Sequence, residues 1–182
     1  MKMNYCSEIE LLDAVEANAA LFEKQYHGCA QCVLGALMET FPLIRHPAAF
    51  KSATGLAGGV GLTVEGSCGG LTGGAMALSL FYGRELENIK DPKGRRFVSY
   101  RLAAQLHKRF VEEYGTSICG KIHQQVMGQT YRLNRPDEWD QFIEAGGHSV
   151  KCPQVVGKAA RWTAEIIAAE EADQGRELSF AL

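Results

Sequence analysis

The chain has 182 residues, 46% of them hydrophobic and 22% charged, a globular balance that excludes an intrinsically disordered polymer. Nineteen basic against twenty-one acidic side chains leave a net charge of −2, so no positive field is available to hold a nucleic acid, and none is expected as a partner. Six cysteines are too few for a disulfide-stapled miniprotein, and the length suits one helical domain over residues 1–182.

The opening MKMNYCSEIE turns polar at once, unlike a secretory signal. A cytoplasmic setting is therefore expected, where thiols stay reduced and clustered cysteines point to metal or redox chemistry. Ser7 and Glu10 form a capping box that starts a first helix, along which Ile9, Leu12, Val15, Ala19, Phe22 and Tyr26 recur at helical spacing. Gly28 suits its exit. A second helix begins around Cys29, carries Val33, Leu34, Leu37 and Met38, and stops before Pro42; a short third follows Pro47.

Residues 55–74 contain nine glycines among apolar side chains, which predicts a tight, buried connection with positive φ angles. It feeds a helix over about 71–82. The uncharged stretch 66–83 is too rich in glycine for a membrane span and is expected in the core of a soluble protein. Phe97, Tyr100, Ala104, Leu106, Phe110, Val111 and Tyr114 mark a long helix ending at Gly115, and short helices fit 118–127 and 137–145. The last begins with Pro153 at its first position and runs to about Ala172, its charged stretch from Glu165 to Glu177 reading as a solvated face. Trp139 and Trp162 suit core or interface. The expected fold is all-α: a bundle of six to eight helices with a buried glycine-rich connection.

Residues 115–122 nearly spell a phosphate loop, but Ile122 stands where a magnesium-binding hydroxyl is required and a helix precedes them. The glycine run lacks a dinucleotide fingerprint, with Val64 at the third glycine position. Cys29-Ala30-Gln31-Cys32 is a CxxC at a helix start, so both sulfurs share a face. Val33 follows it instead of histidine, which removes the attachment motif for a covalent c-type haem.

Four cysteines fall at or near predicted helix starts: Cys29 after Gly28, Cys68 before two glycines, Cys119 after Thr116-Ser117, and Cys152 before Pro153. There the unpaired amides and the partial positive charge are expected to lower the thiol pKa and favour anionic ligands. His27 is placed to modulate a thiolate. His123, four residues after Cys119, and His148, four before Cys152, are candidates to replace a cysteine ligand or tune the centre.

These elements resemble the C_GCAxxG_C_C family of redox-active proteins. The resemblance rests on Gly28 to Gln31, the block at 55–84, Ile118-Cys119-Gly120 and Cys152, and covers most of the chain from Gly28 onward. It implies that the four family cysteines are Cys29, Cys68, Cys119 and Cys152, with Gly70 standing where the family has alanine. It also implies redox function. Relatives include split-Soret-type cytochromes, similar to helical dimers carrying haem and a further iron centre, which extends the expectation to a homodimer.

The leading expectation is a 2Fe–2S cluster held by Cys29, Cys68, Cys119 and Cys152, for electron transfer or redox sensing with a redox partner protein. A zinc ion on the same four thiols is the alternative metal. A different class is a thiol–disulfide oxidoreductase in which Cys29 attacks and Cys32 resolves, and a third is a helical binding module without chemistry.

Overall fold

The computed structural model describes residues 7–175. Cys6 and the end of the charged C-terminal run lie outside them. Eight α-helices account for the architecture: α1 (Glu8–Tyr26), α2 (Cys29–Thr40), α3 (Pro47–Ser52), α4 (Gly69–Tyr82), α5 (Arg95–Tyr114), α6 (Cys119–Met127), α7 (Pro136–Glu144) and α8 (Cys152–Asp173). Short 3-10 turns follow α2, α3 and α4, and a π-helical turn (Gly147–Lys151) precedes α8. Among the described residues there is no strand, only the isolated bridge between Ser67 and Ile118. The all-α expectation holds, and no described helix is long and apolar enough to cross a membrane.

The boundaries follow local chemistry. Ser7 accepts the Glu10 amide to start α1, and Pro47, Pro136 and Pro153 lie in the first turns of α3, α7 and α8, where the missing donor costs nothing. Gly115 and Gly128 close α5 and α6 in the left-handed region.

Helix α1 packs along α8, α2 on α4 and α8, and α4 on α5 and α8. The crossing of α2 and α4 is close because Gly73 faces the Ala30 carbonyl, where a β-carbon would collide with it. Leu34, Leu37, Leu78, Leu102, Leu106, Phe110 and Ile167 fill the space between these helices.

Three apolar faces differ from the sequence reading. On α1 the buried stripe is Leu11, Leu12, Val15, Ala19 and Glu23, while Ile9 and Tyr26 are exposed. On α5 the stripe is Ser99, Leu102, Leu106, Phe110 and Tyr114, which leaves Phe97, Tyr100 and Val111 exposed. On α8 the expected solvated face includes two buried acids: Glu170 receives the Arg101 guanidinium at 2.8 Å, and Glu171 accepts the Tyr82 hydroxyl at 2.8 Å. Pairing with groups from α4 and α5 keeps these carboxylates satisfied out of water. Trp162 packs edge-on against Phe110, in agreement with its expected place.

The glycine-rich connection is tight, as expected. Residues 58–62 all adopt positive φ, from 56° to 68°, including the branched side chains Val60 and Leu62. Gly58, Gly59 and Gly61 take this conformation without penalty, whereas Val60 and Leu62 each carry about 1–2 kcal/mol of strain. Strain held at this level marks a segment fixed by its surroundings.

Candidate metal centre

Each of the four cysteines singled out above stands at a helix start: Cys29, Cys119 and Cys152 are the first residues of α2, α6 and α8, and Cys68 caps α4. All four line one cavity of about 330 Å³. Cys32 does not. It lines a separate cavity with Phe22, Met38 and Phe50, and its thiol donates to the His27 carbonyl at 3.1 Å.

Backbone geometry explains how segments distant in sequence meet. The Cys68 amide donates to the Ser117 carbonyl at 2.8 Å, the Cys119 amide to Gly66 at 2.9 Å, and the Gly120 amide to Val64 at 2.8 Å. This short ladder brings Cys68 and Cys119 side by side. The π-helical turn, with the Lys151 amide donating to the Gly146 carbonyl at 2.9 Å, carries His148 and Cys152 into the same cavity.

Glycines shape the thiol wall. A β-carbon at Gly69 would collide with the Cys29 sulfur, and one at Gly59 would fall 2.7 Å from the Cys119 Cβ. One at Gly70 would lie 3.6 Å from the Cys68 sulfur, in ordinary contact, so the alanine of the family pattern would be adjacent to that thiol as well.

The thiols are not acidic as the helix starts alone would make them. Burial, followed by the neighbouring Cys68 and Glu23 charges, pushes the Cys29 thiol far up; burial, with Cys68 and Cys29, does the same to Cys119. Cys152 is raised by burial and then by Glu23 and the other three cysteines. Cys68 is pushed up to about 11 by burial, held there by the opposing amides of Gly70 and Leu71. Desolvation therefore outweighs the helix-terminal field, which corrects the expectation of low thiol pKa values. Without a counter-charge these sulfurs keep their protons at neutral pH.

Further polar side chains line the cavity, among them Glu23, His123 and His148. His148 holds Nδ1 3.1 Å from Glu23 Oε1, and its ring lies 3.9 Å from that of His27. His123 is 2% exposed, stacks on Phe142 at 5.3 Å, and places Nε2 3.7 Å from the Cys119 sulfur. Burial, and then repulsion from His148 whenever that ring is protonated, pushes its pKa down to about 4. Glu23 Oε2, His123 Nδ1 and His148 Nε2 are buried without a hydrogen-bond partner.

Sequence reasoning placed His27, His123 and His148 near the cysteines, and all three line the cavity. It missed Glu23. The available signal was its position on the buried stripe, four residues after Ala19, where an apolar side chain is the rule.

The donor set fits a thiolate-ligated metal group: four sulfurs, an apolar wall of Leu62, Leu133, Val155 and Val156, and glycines that leave no side chain in the way. Among the described residues no three His, Cys, Asp or Glu side chains gather tightly enough for a single ion.

A family model described as "Putative redox-active protein (C_GCAxxG_C_C)" matches residues 27–166. Comparison with curated proteins and with solved structures gives no match.

Proposed function

The chain belongs to the C_GCAxxG_C_C family of redox-active proteins, and from that premise we propose that Cys29, Cys68, Cys119 and Cys152 hold a 2Fe–2S cluster serving electron transfer or redox sensing. The observation that carries this reading is the arrival of four thiols, each from the start of a different helix, at one largely apolar cavity. Four thiols match the ligand demand of a binuclear cluster, two to each iron, and a four-thiolate zinc ion would use the same ligands.

Charge supports the same assignment. Cys29, Cys119 and Cys152, whose pKa values neighbouring cysteines raise, bind a cationic group readily, because the metal replaces the protons and removes the repulsion together. The cluster, when bound, supplies a one-electron couple. The chain supplies the rest: Gly70 and Leu71 amides stabilise negative charge on Cys68, His123 Nε2 is placed to donate toward Cys119, and the apolar wall limits water.

The thiol–disulfide alternative is less well supported. Its attacking Cys29 is held protonated by burial, and Cys32 faces another cavity. Anaerobic purification under iron-replete conditions tests the assignment, with a brown protein containing iron and acid-labile sulfide in equal amounts as the expected result. A colourless protein with stoichiometric zinc, or a metal-free one with a reversible Cys29–Cys32 disulfide, overturns it.

A further inference from the structure

We propose that the same cavity binds a small primary alkylammonium ion, its head group held by Glu23 and His148. Glu23 is 2% exposed, and only one of its carboxylate oxygens is used, by His148 Nδ1. The other oxygen and His148 Nε2 are buried and unpartnered. A buried carboxylate oxygen and ring nitrogen left unsatisfied cost free energy unless a ligand or water pairs with them. With Nδ1–H donating to the carboxylate, both orphaned atoms are acceptors, and a primary ammonium supplies only donors.

The surroundings select charge and shape. Among the described residues no lysine or arginine lines the cavity, while the Glu23 carboxylate does, so an anion meets no lysine or arginine counter-charge there. Trp139, 5.4 Å from the His148 ring, also lines the cavity and offers an aromatic surface to a cation and its methylenes. A bare metal ion held by Glu23, His123 and His148 is disfavoured, because these side chains do not converge on one ion position. The cavity, at about 330 Å³, is large enough for a short alkylamine. It reaches the surface beside Tyr26, which is 71% exposed.

The site stands on the orphaned atoms and not on the cluster, so the two readings fail separately. The test is calorimetric titration of the anaerobically purified protein with n-butylammonium chloride, with butanol and sodium butyrate as the neutral and anionic counterparts. The expected result is saturable one-to-one binding with a Kd of about 1 mM or tighter. Glu23→Gln should weaken it at least about tenfold, with His148→Gln as the second variant if the first melts early by circular dichroism. Absence of saturation, equal binding of butanol, preference for butyrate, or an unchanged Kd in a folded variant overturns the proposal. Competitive displacement by zinc chloride at stoichiometric concentration also overturns it, in favour of a metal site. Visible absorbance is followed in the same samples. Colour without amine binding defeats this inference alone, and amine binding by a colourless, iron-free protein defeats the cluster alone.

Discussion

Gly69, the first residue of α4, backs directly on the sulfur of Cys29, the first residue of α2, so closely that a methyl group would occupy the space of the thiol. In an unconstrained helix, alanine is more stabilising than glycine by about 0.5–1 kcal/mol. Here the collision reverses the sign. Gly69→Ala is expected to destabilise the protein by about 1–3 kcal/mol and to lower its iron content. Urea denaturation beside iron analysis checks both, and a more stable variant with full iron would show that Cys29 is not where the structure puts it.

The two cysteines of the CxxC motif separate the chemistries. Cys68→Ser should abolish the visible absorbance of the cluster, and Cys32→Ser, whose side chain lines the other cavity, should retain it. In a CxxC oxidoreductase the order reverses, because the resolving thiol is indispensable and Cys68 is not. Cluster absorbance and dithiol turnover measured on both variants decide the matter.

Acid should destabilise the metal-free protein through His123. Its pKa is pushed down to about 4 in the fold against about 6.5 in the unfolded chain, so between these values the unfolded state binds more protons. The stability held by the neutral imidazole is therefore present above pH 6.5 and lost as pH falls toward 4, by about 3 kcal/mol at most. His123→Phe, which preserves packing against Phe142 and Tyr131, should flatten that dependence in urea titrations from pH 4 to 7.

Alkaline conditions act through the cysteines with the opposite sense. The folded state keeps protons on Cys68 up to about pH 11, whereas the unfolded state releases them near 9, so this stability is present below 9 and lost as pH rises through 11. At neutral pH the same protonation makes the metal-free thiols slow nucleophiles. Iodoacetamide labelling followed by mass spectrometry should modify Cys29, Cys68, Cys119 and Cys152 at least about tenfold more slowly in the folded protein than in urea.

The helix starts were legible because Gly28, Gly115 and Pro153 punctuate the chain beside the cysteines they position. The positive-φ run was legible for a related reason: repeated glycines at 58, 59 and 61 have few other uses among apolar residues. What escaped were the relations between distant segments. Glu23 is buried because His148, 125 residues later, meets it, and Glu170 because Arg101 reaches it from α5. The thiol pKa values escaped for the same reason, since desolvation depends on what the whole fold stacks over each helix start.

The pairing of α1 with α8 has a consequence for synthesis. Leu11, Leu12, Val15 and Ala19 lie on a helix whose main packing partner, α8, begins only at Cys152, so a nascent chain on the ribosome carries α1 without that cover while more than a hundred residues are added. At about 5–20 residues per second, that interval lasts roughly 6–25 s. The last cavity-lining thiol, Cys152, and the wall residues Val155 and Val156 arrive together at its end. The set of four cavity-lining thiols is therefore complete only once Cys152 has been made, and a chain that stops before it lacks both that thiol and the helix that packs along α1.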